Sequence, residues 1–343
     1  MVHSNSPILL VKTSSLGDVL HTLPALTDAQ QARPGVTFHW LVEPGFAQIP
    51  TWHPSVSRVI PLAWRHWRKN LFSISTQRQL GHFIRQIRQE HYSQIIDLQG
   101  LLKSALPARL ARGRITGLNR QSAREPFASF LYHQKLAIDP EQHAIRRNRQ
   151  MLAQALNYPL PDTPPDYGLT RLWAKKTEMT FSNYWVFLHS TTWASKHWPE
   201  SYWEKLIQLA IQHRNVVLPW GNEEERQRAV RLARIDPKRC HVPAKTDLAG
   251  LATLLADAKA VVSVDTGPAH LTAAVGTPCI GLYGPTDPKK IGTVASNHRH
   301  LLGSCPQAPC KKRFCPRPDS GPILPLCFKT LTPELVLQQL LEI

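Results

Sequence analysis

The sequence predicts an α/β protein built from two doubly wound, Rossmann-like domains, and three observations carry that prediction. Short apolar runs alternate with amphipathic stretches through both halves of the chain, the pattern of parallel sheets covered on both faces by helices. The 343 residues exceed what one hydrophobic core usually fills. Between the halves, Asn157-Tyr-Pro-Leu-Pro-Asp-Thr-Pro-Pro-Asp-Tyr-Gly168 is rich in proline and has no periodicity. The expected organisation is a first domain over 1–160, a linker over 161–175, a second domain over 176–330 and a closing amphipathic helix over 331–343.

In the first half, residues 7–13 read as a strand, 17–32 as a helix with Leu20, Leu23, Leu26 and Ala29 on one face, and 36–43 as a strand again. Further short apolar runs lie at 56–62, 94–98 and 114–118, with helical patterns over 76–90, 101–111 and 141–156. After the proline-rich break, strands are expected at 184–189, 216–220, 260–265 and 278–283, and helices open near 199, 223, 248 and 268.

Composition narrows the partners. The formal net charge is +17, and both halves share the excess, which points to a folded protein working on something anionic. Between Glu43 and Glu90 no acid interrupts Arg58, Arg65, Arg68, Lys69, Arg78, Arg85 and Arg88, and Trp52, Trp64, Trp67 and Phe72 are interleaved with them. Aromatics of this kind sit at headgroup level while Lys and Arg meet phosphate; the competing reading is a solvated basic face. No apolar run reaches the roughly 18 residues of a membrane span, and Ile8-Leu-Leu-Val11, followed by Lys12, is too short for a secretory signal. A cytoplasmic protein is expected.

Four loops at the carboxyl ends of expected strands hold the candidate chemistry, and one further strand-end turn stands apart from them. The sharpest is Ser263-Val-Asp265-Thr266-Gly267-Pro268-Ala-His270, where an apolar strand runs into a small-residue turn that opens a helix. Gly267 lets a ligand approach the backbone, Pro268 suits the first helical turn, and the helix start favours a phosphate. In Lys12-Thr-Ser-Ser-Leu-Gly17-Asp18, Asp18 is either a reacting carboxylate or one placed in the first turn for the helix dipole. His189-Ser-Thr191-Thr192-Trp-Ala-Ser-Lys196 offers hydroxyls and a point charge for a pyrophosphate. Pro219-Trp-Gly-Asn-Glu223 offers an acid for sugar hydroxyls, or again only a dipole device. Asp97-Leu-Gln-Gly100 either supports the site or simply turns the chain.

Cys240 and Cys279 read as small buried hydrophobes. Cys305, Cys310, Cys315 and Cys327 cluster in a Pro- and Lys-rich segment without C-x-x-C pairs. Reduced thiols are the leading reading, with a structural metal clip and a disulfide as alternatives.

Taken together, Lys12-Thr-Ser-Ser-Leu-Gly-Asp18-Val-Leu-His-Thr-Leu-Pro-Ala-Leu, the Asp97–Gly100 turn with Lys103-Ser104, Lys196-His-Trp-Pro199, Leu218-Pro-Trp-Gly221 and Ser263-Val-Asp-Thr-Gly267 with His270 resemble the lipopolysaccharide heptosyltransferases that use ADP-heptose. The resemblance runs through nearly the whole chain in one order. It implies a GT-B architecture, two Rossmann-like domains facing a cleft, and transfer of L-glycero-D-manno-heptose from ADP-heptose to the Kdo of Kdo2-lipid A with inversion. It also implies Asp18 as catalytic base, Lys196 as catalytic cation, and Thr191, Thr192, Lys196, Glu223, Thr246, Asp265, Thr266, Gly267 and His270 as donor contacts. Arg65, Arg68, Lys69 and Arg124 fall where that family holds the acceptor. Lys196 and the helix end at Gly267 can supply the leaving-group charge, and the chain has no Asp-x-Asp pair, so no catalytic metal and no cofactor besides the donor are expected, with work done peripherally at the anionic cytoplasmic face of the inner membrane. His66, within the basic acceptor segment, departs from that pattern. The cysteine-rich insertion favours the alternative of a later core acceptor. A nucleic-acid-binding module, suggested by charge alone, would not need the ordered loops of both halves.

Overall fold

The computed structural model describes residues 6–70, 72–172, 181–317 and 324–343. The chain divides into two compact units, Met1–Lys175 and Lys176–Ile343.

In the first unit, β1 (Ile8–Val11), β2 (Phe38–Val42), β3 (Val56–Pro61), β4 (Gln94–Asp97), β5 (Ile115–Leu118) and β6 (Gln134–Leu136) form one parallel sheet in the order β3-β2-β1-β4-β5-β6. The central strand β1 is buried along its whole length, with Leu9 in register with His39 on one side and Ile95 on the other. Helices α1 (Leu16–Leu20), α2 (Leu23–Ala32), α3 (Trp64–Trp67), α4 (Ile74–Ile87), α5 (Leu102–Ala108) and α6 (Ala144–Leu156) connect or flank the strands. The single helix expected over 17–32 is two helices. Pro24 lies at the start of α2, where it has no N–H to give to the turn before it, and the break falls at His21 and Thr22.

The second unit repeats the design. Strands β7 (Tyr184–Leu188), β8 (Asn215–Val217), β9 (Cys240–His241), β10 (Ala260–Val264), β11 (Cys279–Tyr283) and β12 (His298–Leu302) form a parallel sheet in the order β12-β11-β10-β7-β8-β9, the first unit's order read from the other edge. Its helices are α7 (Glu200–Ala210), α8 (Glu223–Ala233), α9 (Leu248–Ala256), α10 (Gly267–Val275), α11 (Pro288–Ile291) and α12 (Pro333–Leu341). An aromatic core fixes α7 and α12: the Trp198 and Trp203 rings meet edge to face at 4.9 Å, and Trp198 Nε1 donates to the carbonyl of Leu331 at 3.0 Å. Each sheet reverses its strand order beside its first strand, between β1 and β4 and between β7 and β10. Open α/β folds bind ligands outside the carboxyl ends of such a pair.

Three strands lack the sequence signal of the others. β6 and β12 are edge strands of exposed or half-buried residues such as Gln134 and His300, and β9 is two residues long. Without an apolar run they read as loop.

The basic-aromatic segment departs from expectation. Trp52 and Trp67, expected at a headgroup surface, are each only 4% exposed. Trp67 packs on Phe83 with ring centroids 5.4 Å apart and donates through Nε1 to Gln79 at 3.0 Å. Trp64 is half-buried against the same core, and Phe72, at 95%, is the one of the four that stands in solvent. Spacing among basic residues could not separate a ring that anchors α3 to the core from one that faces outward.

The proline-rich stretch is strapped to the first unit. Arg149, in an ion pair with Asp28 at 2.6 Å, donates to the carbonyls of Thr163 and Pro161. Gly168, at φ +60°, crosses His53 so closely that a Cβ there would lie 2.6 Å from the imidazole. Among the described residues no helix is long and apolar enough to cross a membrane.

Candidate active site

The loop leaving β1 sets Asp18 at the start of α1. Ser15 is the N-cap, and its N–H and hydroxyl both donate to Asp18 Oδ2, at 2.8 and 2.9 Å. The carboxylate therefore does serve the helix start, as its position suggests, and that same bracing fixes where it points. The loop is held from the next strand over. Gln99 lies against it like one more strand residue, accepting from Thr13 N–H at 3.0 Å and donating to the Ser14 carbonyl at 2.8 Å.

Gln99 is in turn fixed by Asp97. This carboxylate is fully buried and accepts from the N–H of Gln99, from Ser104 Oγ and from the Tyr132 hydroxyl at 2.8 to 2.9 Å. Burial pushes Asp97 above the usual carboxylate range, against the pull of those donors. Gly117 makes the Tyr132 bond possible, because a Cβ at that strand position would sit 2.3 Å from the tyrosine ring. The Asp97–Gly100 turn is a bracing element for the Asp18 loop.

Cations gather around this carboxylate. Lys12 is buried and donates to the carbonyl of Leu98 at 3.0 Å. Burial lowers its ammonium pKa, Asp18 and Asp97 oppose that, and Arg147 and Arg124 reinforce it. Lys103 donates to Ser14 Oγ at 2.7 Å and stands 3.9 Å from Glu43, whose other oxygen pairs with Arg65 at 3.0 Å. Burial lowers Lys103 as well, with Glu43 and Asp18 opposing. The site can hold an anion next to one poised carboxylate.

In the second unit the loops after β7 and β10 meet at the switch point. Thr191 Oγ1 donates to the carbonyl of Asp265 at 3.0 Å, and Lys196 Nζ pairs with Asp265 Oδ2 at 2.7 Å. Thr286 donates to the same oxygen at 2.6 Å, and the Lys196 ammonium lies 4.7 Å from the centre of the Trp193 ring. Thr266 opens α10 without a side-chain cap, and Gly267 and Pro268 begin its first turn. A half-buried ammonium thus stands beside a helix start, an arrangement suited to a diphosphate.

The residues singled out in the sequence fall into two groups. Thr191, Lys196, Asp265, Thr266 and Gly267 come together at one switch point, and His270 is buried one turn along α10. Thr192 is exposed on the same loop. Glu223 starts α8 and accepts from Arg226 at 2.9 Å, and Thr246 is exposed just ahead of the Asp247 cap of α9, each following its own strand. In the first unit Arg65 joins the Asp18 cluster through Glu43, the charge of Arg124 reaches Lys12 and Lys103, and Arg68 and Lys69 are exposed at the end of α3. Sequence reasoning gave no individual role to Lys12, Glu43, Gln99 or Arg147, although Lys12 and Gln99 lie in segments it singled out. The available signal was a charged or amide residue ending an otherwise apolar strand, as at Lys12 and Glu43.

Residues 80–319 match the family model of glycosyltransferase family 9 (heptosyltransferase). The chain is 46% identical to lipopolysaccharide heptosyltransferase 1 of Pseudomonas aeruginosa, over 97% of this chain and 96% of the relative. It superposes on the solved structure of Escherichia coli heptosyltransferase WaaC with ADP at a TM-score of 0.87 and 44% identity, covering 98% of this chain and 99% of that one. For the same E. coli protein with ADP-2-deoxy-2-fluoro heptose the TM-score is 0.85 at 43% identity, with the same coverage.

Proposed function

The chain belongs to glycosyltransferase family 9, the heptosyltransferases, and from that premise we propose that it moves L-glycero-D-manno-heptose from ADP-heptose to the Kdo of Kdo2-lipid A, inverting the anomeric centre. The observation that carries this reading is Lys196, locked by Asp265 beside the opening of α10 at the point where an open α/β sheet takes a nucleotide.

In one displacement the acceptor hydroxyl loses its proton to Asp18, its oxygen bonds to the anomeric carbon, and the bond to the diphosphate breaks so that ADP leaves with the electron pair. Both Ser15 bonds land on Asp18 Oδ2, which leaves Oδ1 to take the proton. Lys196 and the helix start of α10 neutralise the charge growing on the diphosphate. The reading gives the base to the first unit and the leaving-group charge to the second. It assigns no divalent ion to the chemistry, since a protein cation supplies the charge and the chain has no Asp-x-Asp pair; kcat should survive brief exposure to a chelator.

The acceptor assignment rests on Lys12, Lys103, Arg65 and Arg124 around Asp18, a setting for an acidic, phosphorylated sugar lipid. With the net charge of +17 and the exposed Arg68, Lys69 and Phe72, it supports work at an anionic membrane surface. Product formation from ADP-heptose with Kdo2-lipid A and with its monoheptosylated form, run in parallel, tests the reading. Transfer to the first alone is expected; transfer only to the second moves the protein to a later core step.

A further inference from the structure

Cys305, Cys310, Cys315 and Cys327 all line one small cavity, whose walls include Ser195 and Pro285. All four are free thiols. Cys327 is buried, the other three are half-buried, and each of the three lies within electrostatic reach of Cys327. The described residues 303–317 around the first three form no helix or strand, and Cys327 stands on the short 3-10 helix Leu326–Thr330, so no ladder of backbone bonds accounts for the loop's shape. Yet the loop has a precise task. The Ser195 N–H donates to the carbonyl of Arg313 at 3.0 Å, Ser195 Oγ donates to the carbonyl of Lys312, and the Arg313 guanidinium covers the Trp193 ring at 5.8 Å. This is the turn that carries Lys196.

We propose that Cys305, Cys310, Cys315 and Cys327 bind one thiophilic metal ion, zinc or iron, as a structural tetrathiolate centre that clamps the cysteine loop onto the Trp193–Lys196 turn. Four thiolates are the ligand set of closed, structural sites for such ions. On binding, the four thiols release their protons and a divalent ion leaves the centre with two negative charges. Lys311, Lys312, Arg313 and Arg317 are interleaved with the cysteines and offset that charge. Among the described residues no three His, Cys, Asp or Glu side chains already stand close enough to form a metal-binding group. Binding therefore draws the sulfurs inward to about 2.3 Å from the ion, a movement of the 303–317 loop, which has no strand or helix, toward Cys327 on its short 3-10 helix. The centre is separate from the heptosyl-transfer chemistry and does not depend on that assignment.

The test is metal analysis of the full chain purified under reducing conditions from cells supplied with both zinc and iron. About one ion per chain is expected, with the element read directly. Cys310→Ser and Cys315→Ser should each lose most of the ion, and Cys240→Ser, whose thiol lies in β9, should keep it. As a check that needs no variant, wild-type protein stripped of metal and titrated with Co2+ should develop thiolate-to-cobalt charge-transfer absorption that saturates at one equivalent. Metal-free protein that shows no such absorption, an ion retained by both cysteine variants, or disulfides among the four cysteines in freshly purified protein would overturn the proposal.

Discussion

Lys196 Nζ and Asp265 Oδ2 lie 2.7 Å apart, both side chains largely buried, at the junction of the loops that leave β7 and β10. The carboxylate also accepts from Thr286, and its backbone carbonyl accepts from Thr191. Asp265 is therefore the hub that aims Lys196, and the loss of either partner leaves the other charge buried without a counter-ion. Lys196→Ala should lower kcat by about 10²–10³, the effect of removing one leaving-group or oxyanion donor. Asp265→Asn should destabilise the protein by about 3–5 kcal/mol, as expected for breaking a buried pair. Steady-state kinetics with ADP-heptose and urea unfolding check the two; a fully active Lys196→Ala protein would remove Lys196 from the chemistry.

Asp18→Asn retains a side chain that can accept from Ser15, so α1 should keep its start. Loss of a general base typically costs about 10²–10⁴ in rate, and kcat should fall in that range while the affinity for ADP-heptose, measured by calorimetry, stays within a few-fold of wild type. Near-normal turnover would assign Asp18 to capping alone.

Arg65 is well exposed and is tied to the site through Glu43. Glu43 is buried, but Lys103 stays 3.9 Å from it as a counter-charge, so Arg65→Ala should still fold. Its KM for a phosphorylated lipid acceptor should rise more than that for the dephosphorylated form. Equal effects on both acceptors would argue against a phosphate contact.

His53 links acidity to the first unit. The Ser55 N–H donates to its Nδ1, so Nε2 carries the proton and donates to Thr27 Oγ1 at 3.0 Å. The neutral ring is fully satisfied, and burial lowers its pKa to about 4. The folded value lies below the unfolded one, so this stabilisation is complete above about pH 6.5 and is lost as pH falls toward 4. The full shift is worth on the order of 3 kcal/mol. The stability difference between wild type and His53→Gln, from urea unfolding, should shrink between pH 7.5 and pH 5; a constant difference would show that His53 does not titrate with unfolding.

Gly168 is the strap over that histidine. With φ at +60° and the His53 ring 2.6 Å from any added Cβ, Gly168→Ala meets both backbone strain and a clash. It should cost more than about 1 kcal/mol, read as a lower unfolding midpoint, and a neutral substitution would mean that the strap shifts freely.

Much of this protein was legible in one dimension. The alternation of apolar strands and amphipathic helices, the proline-rich break and the small-residue turns at strand ends are local, and local chemistry fixed them. So did the residues at strand ends: Asp18, Thr191, Lys196, Asp265 and Gly267 were visible because a doubly wound sheet puts its ligand site there. The break at His21 had its signal in Pro24, yet the apolar periodicity over 17–32 read as one helix. Polar edge strands such as β12 were not legible, since nothing in their pattern differs from a loop.

By itself, then, the sequence determined the architecture of each half and which loops stand at the carboxyl ends of the strands, because strand period, helix caps and turn residues act between near neighbours. Only the tertiary structure decided the partners. It paired Lys196 with Asp265, set Gln99 against the Asp18 loop, joined Arg65 to Lys103 through Glu43, turned Trp52 and Trp67 inward, and brought four distant cysteines to one cavity. Those relationships depend on strand order and on burial. Both follow from how the whole chain excludes water, which no short stretch of sequence specifies.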